Sequence, residues 1–136
     1  MKYPKLVLVL VMLFAMASLR AEDNSDALAT ASKWLSMVDH GNYAGSWQEA
    51  SAYFRAAVTQ EKWKTSLQAA RAPLGKFQSR SLKSATRRKS LPGAPDGDYL
   101  VMQFNAVFTH KAAAVETVTF MKTGGEDWQA AGYYIR

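Results

Sequence analysis

The apolar positions of this chain change their period once, close to Gly75. Before that point Ala27, Leu28, Ala31, Trp34, Leu35 and Val38 recur at steps of three and four, the spacing of one helix face. Gly41, in "DHGNY", predicts the left-handed stop that ends such a helix. Asn42 predicts the cap of a second helix with Tyr43, Trp47, Ala50 and Phe54 on its face. Thr59 predicts the cap of a third, with Glu61 in its first turn; Trp63, Leu67 and Ala70 form its face and Pro73 ends it.

After Gly75 the pattern alternates. Residues 76–85 read as a polar, irregular strand. Residues 99–108 are clearer: Leu100, Met102, Phe104, Ala106 and Phe108 share one face. Burying the large ones contributes about 1.5–3 kcal/mol each, so this stripe is expected in the core. Residues 114–122, "AVETVTFMK", are rich in β-branched side chains and predict a third strand; "DWQAAGYYIR" predicts the last. Gly124-Gly125 between them suits a two-residue hairpin turn. Helices first and hairpins afterwards predict an α+β fold: three N-terminal helices packed on a curved four-stranded antiparallel sheet. Such a sheet, covered on one side, twists and can curl into a cone-like form with a hollow beneath the helices.

The first residues stand outside this pattern. Lys2 and Lys5 precede an uninterrupted apolar run from Leu6 to Ala17, and small residues follow. Twelve apolar residues fall short of the about 20 that cross a bilayer. They have the length and flanks of a secretory signal peptide, residues 1–21, with cleavage after Ala21 or, as second choice, Ala17. A retained N-terminal anchor is the alternative. Residues 22–136 then form one α+β domain, located in the periplasm or secreted and not membrane-spanning after processing. The chain has no cysteine, which excludes disulfides, thiol catalysis and cysteine-based zinc sites. The formal net charge of +6 includes Lys2, Lys5 and Arg20; removing these three cations leaves +3.

The stretch "LPGAPDGDY" carries two prolines and two glycines ahead of the clearest strand. A phosphate-cradling loop needs a helix N-terminus directly behind it, and a strand follows instead. The composition predicts a rigid multi-turn connection.

"LPGAPDGDYLVMQF", "AVETVTF" and "DWQAAGYYIR", after a helical part with "WLSMVDHGNYAGSW" and "RAPLG", resemble the bacterial domain-of-unknown-function 4019 family over about residues 27–136. The resemblance implies a small exported protein and transfers no catalytic residue. The order of elements is also similar to the nuclear transport factor two-like, or cystatin-like, cone, an architecture that hosts enzymes, binders and scaffolds alike.

Candidate chemistry is sparse. Asp39 and His40 read first as a helix C-terminus with a favourable cation; an acid–base pair is the lesser reading, because neighbours in sequence point in different directions on a helix. His110 lies in a turn, the two histidines lack metal-site spacing, and no serine stands in a G-x-S-x-G elbow. No metal or cofactor is expected. Glu116 is the carboxylate of most interest, set in a β-branched apolar strand. A two-residue turn at Gly124-Gly125 would pair Thr123 with Glu126 and, counting back, Glu116 with Tyr133. Glu116 is then either a polar anchor inside the hollow, with Tyr133, or a solvent-facing carboxylate paired with a basic residue such as Arg80. Trp34, Trp47, Trp63 and Trp128 fall on inner faces and read as core or as a ligand cage.

Residues 62–95 carry nine cations and no acid. Arg80, Lys83, Arg87, Arg88 and Lys89 are expected to form a basic surface strand, protecting an edge or meeting an anionic envelope component. No nucleic-acid motif accompanies them. These patterns lead to a non-enzymatic exported module with a pocket for a small apolar or amphipathic ligand, lined by Trp34, Trp47, Phe104, Glu116 and Tyr133. The alternatives are a small cone-fold enzyme with Glu116 or Asp39 as general base, and a protein-interaction module using the basic strand.

Overall fold

The buried residues of the first helix are the periodic ones: Ala27, Ala31, Trp34, Leu35 and Val38. The structure, a computed structural model, describes residues 24–122, 125 and 127–136. The segment assigned to a signal peptide and Gly124 of the hairpin turn lie outside the described residues. Helix α1 is described over residues 24–39. It ends in a Schellman motif, in which the Gly41 N–H donates to the Val38 carbonyl and the Asn42 N–H to that of Met37. Gly41 takes φ +76°, the left-handed conformation that this stop requires. Asn42 then caps α2, Tyr43–Glu49, by accepting from the Gly45 N–H.

The second expected helix is split in two. Ser51 breaks from the helical conformation and caps α3, Ala52–Ala57, through a bond from the Phe54 N–H. The Ser51 N–H in turn donates to the Ala130 carbonyl in the last strand, so the break ties the helices to the sheet. Thr59 caps α4, Gln60–Arg71, which buries Trp63, Leu67 and Arg71. Arg71 therefore occupies the inner position expected for Ala70, because the face recurs every fourth residue from Trp63.

A short 3-10 turn, Ala72–Leu74, leads into the sheet. Gly75, at φ +77°, closes against the turn at Thr109 and His110, where an added Cβ would meet Thr109 Oγ1 at 2.1 Å. The four strands are β1 (Phe77–Arg88), β2 (Asp98–Phe108), β3 (Lys111–Lys122) and β4 (Trp128–Ile135). They pair in sequence order as an open antiparallel sheet, the α+β architecture expected. Leu100, Met102, Phe104, Ala106 and Phe108 are all buried. Leu100, Met102 and Phe104 share one core cluster with Trp34, Trp63, Phe54 and Phe120, while Ala106 and Phe108 form a second with Ala114, flanked by Leu74, Phe77 and Ile135.

The loop before β2 makes turns and no helix. Tyr53 of α3 donates to the Gly93 carbonyl, and the Tyr99 hydroxyl bonds to the Pro95 carbonyl, which fixes the connection as scaffold.

Register shifts interrupt all three ladders, and such bulges bend strands and increase their twist. In the last hairpin they correct the expected pairing. Lys122 pairs with Trp128, one residue beyond the register of a two-residue turn, and a bulge between Thr119 and Phe120 adds another. Glu116 therefore pairs with Ile135, and Tyr133 with Val118. Two one-residue departures restore the parity, so Glu116 and Tyr133 still share a face.

Candidate functional site

Five elements send a polar side chain to one buried point. Asp39 is the last residue of α1, and Arg71 the last of α4. Arg80 stands on β1 opposite Ala106, which in turn pairs with Ala114 of β3. The two alanines leave space that a larger pair would fill. Glu116 and Tyr133 come from β3 and β4.

Arg80 organises the group. Its Nε donates to Glu116 Oε1 at 2.8 Å and one terminal nitrogen to Oε2 at 3.3 Å. On its other edge it grips Asp39 at 2.7 and 2.8 Å. One planar fork thus holds two carboxylates, a geometry that lysine does not reproduce. Arg71 donates to Asp39 Oδ1 at 2.8 Å and to the Tyr133 hydroxyl at 3.3 Å. Tyr133 donates to Glu116 Oε2 at 2.6 Å. Both guanidinium groups lie over rings, Arg80 over Phe77 at 4.1 Å and Arg71 over Phe108 at 4.7 Å.

The Glu116 side chain is 0% exposed and that of Arg80 14%. Burial works to lower the pKa of both arginines. Hydrogen bonds outweigh it, to Asp39 and Glu116 for Arg80 and chiefly to Asp39 for Arg71, so both stay above the ordinary arginine value. Burial, reinforced by the neighbouring Glu116 carboxylate, pushes the Tyr133 hydroxyl well above the ordinary tyrosine range. Two cations, two carboxylates and a neutral phenol compose a set with no net charge. Removing one charged member of such a set costs about 3–5 kcal/mol, because its partner is left buried and unpaired.

Beside the network the surface opens into a depression of about 500 Å³ lined by Val38, Asp39, His40, Tyr43, Gln68, Arg71, Ala72, Gly75, Lys76 and Phe77. Asp39 and Arg71 form its polar floor. Among the described residues no cluster of three or more His, Asp or Glu is placed to hold a metal ion. Nor is any helix there long and apolar enough to cross a membrane.

The structure brings some of the sequence-predicted residues together and separates others. Glu116 and Tyr133 bond directly, and Phe104 pairs across the ladder with Glu116. Trp34 lies 6.1 Å from the Tyr133 ring and 5.9 Å from Trp63 and Phe120, so aromatic side chains occupy the space between helices and sheet. Trp47 is half-buried and packs against the edge of the same core, its indole donating to the Val58 carbonyl. Arg80 departs from the expected basic surface, since its register opposite Ala106 turns it inward. Lys83, Arg87, Arg88 and Lys89 are exposed; Arg87 lies over the Trp128 ring and Lys89 pairs with Asp98. Asp39 reaches the arginines rather than His40, whose Nδ1 bonds the Ser36 carbonyl at 2.7 Å. Arg71 was not foreseen. Its signal was the four-residue step from Trp63 through Leu67.

A family model described as "Protein of unknown function (DUF4019)" matches residues 30–133. Comparison with curated proteins and with solved structures finds no match.

Proposed function

The chain belongs to the DUF4019 family, which carries no activity with it, and from the chain's own geometry we propose that it is an exported, non-enzymatic module that binds a small ligand in the depression floored by Asp39 and Arg71. One observation carries this reading: an open, ligand-sized hollow lies against a polar network whose charges are already matched. Pockets of about 300–1,000 Å³ suit small molecules, and this depression has that size. A general base or nucleophile needs a lone pair free to take a proton or attack. All four carboxylate oxygens here already accept from guanidinium N–H groups. Such a network is suited to holding the floor in shape, and binding gains from a preorganised surface. Export rests on the apolar run 6–17 behind Lys2 and Lys5, with residues 1–21 removed.

Native mass spectrometry of protein purified after expression of the full chain tests both parts. The expected spectrum shows a chain starting at Glu22 with a reproducible small-molecule adduct. An unprocessed chain would overturn export. A bare mass, with no thermal shift across a metabolite and lipid panel, would overturn binding.

A further inference from the structure

The depression also carries a chemical preference, and this inference rests on the binding reading above. We infer that it receives a small organic anion with an apolar body, the anionic group meeting Lys76, Arg71 and Gln68 while the body lies between Tyr43 and Phe77. The charge balance of the lining supports this. Among the described residues the lining holds one carboxylate, Asp39, and it is fully engaged: Oδ1 accepts from Arg71 and Arg80, and Oδ2 from Arg80. With Arg80 and Glu116 included, the network sums to zero charge. Lys76 is added to that balance on an exposed wall, and it has no ionic partner among the described residues. The cavity therefore presents a net positive field to a ligand.

Donor capacity points the same way. A guanidinium carries five N–H groups, and Arg71 uses two of them, toward Asp39 and Tyr133. It lines the depression with donors to spare and, like any arginine, has no acceptor to offer a cation. Gln68 adds an amide one turn earlier on α4. Tyr43 and Phe77 supply aromatic area, with Val38 beside them.

Three probes with the same ring separate the possibilities: anionic benzoate, neutral benzamide and cationic benzylamine, titrated into isotope-labelled protein purified after expression of the full chain. The expected result is that benzoate shifts the amide resonances of Gln68, Gly75 and Lys76, that benzamide does so at least tenfold more weakly, and that benzylamine does not. Lys76→Gln, at an exposed position outside the network, is expected to weaken benzoate about threefold, the worth of one solvent-screened charge. Lys76→Glu is expected to abolish the shifts. Benzamide or benzylamine binding at these residues as well as benzoate would overturn the anion preference and leave the binding reading standing. Silence of these amides to all three probes would overturn the anion proposal, and the native adduct would then decide the broader reading by itself. Unchanged benzoate affinity in Lys76→Glu would overturn it as well.

Discussion

Arg80 and Lys89 belong to the same basic stretch, nine residues apart, and each pairs with a carboxylate, yet the two pairs do different work. Lys89 meets Asp98 at the sheet end with side chains 86% and 42% exposed. The Lys89 ammonium, by hydrogen bond and charge, holds the Asp98 carboxyl below its ordinary range. Water and salt screen such a pair, so it adds little to stability. Arg80 meets Asp39 and Glu116 where water is excluded. There the fork geometry satisfies both carboxylates, and loss of either side strands a charge. Composition treats the two cations alike. Strand parity and register separate them.

The sharpest way to break this contrast is to remove Arg80. Arg80→Met keeps a long unbranched side chain at the position, removes the guanidinium over Phe77 and leaves Asp39 and Glu116 short of their shared cation. The expected loss is about 3–5 kcal/mol in denaturant unfolding. A loss below about 1 kcal/mol would place Arg80 with Lys89 in the weak class.

A second buried polar hub, without charge, sharpens the comparison. Ser46 accepts the Trp34 indole at its carbonyl and the Trp63 indole at its hydroxyl, at 2.8 and 2.9 Å. Ser46→Ala strands the Trp63 N–H, with an expected cost of about 1–3 kcal/mol. A cost equal to that of Arg80→Met would mean that burial alone, and not charge, sets the scale.

The third test uses alkali. The tyrosine reference pKa is about 10, and Tyr133 is raised above it by burial and by Glu116. A raised folded value gives stability that is fully present below about pH 10 and lost as pH rises through the folded value. Stability should therefore fall above about pH 10, and Tyr133→Phe should fall less steeply. Parallel decline of the two proteins in denaturant midpoints would remove Tyr133 from the account.

The smallest effect is expected at the exposed pair. Lys89→Ala should leave the unfolding midpoint where it was, at low and high salt alike. A clear shift would show that the sheet end depends on a contact the contrast treats as idle.

Much of the fold was legible because burial imposes a period. The stripe from Leu100 to Phe108 and the inner face of α1 follow directly from where apolar residues recur. The break at Ser51 escaped, although a serine three residues ahead of Phe54 is a cap signal, because Tyr43, Trp47, Ala50 and Phe54 continue a helical face across it. The site was legible in part. Arg80 was named as a partner for Glu116, but in a solvent-facing arrangement. Its inward turn depends on bulges between Phe77 and Ser79 and between Leu82 and Ser84, which polar side chains do not announce. Arg71 was hidden by its charge: an arginine on the four-residue step of a helix face reads as surface until its carboxylate partner is placed.

The network is held to act as one coupled unit, and a double-mutant cycle measures that coupling most directly. Arg80→Met, Glu116→Gln and the pair together would be compared by denaturant unfolding. The double variant is expected to be more stable than the two single losses summed would make it, by about 1.5–3 kcal/mol. Losses that simply add, to within about 0.5 kcal/mol, would contradict it.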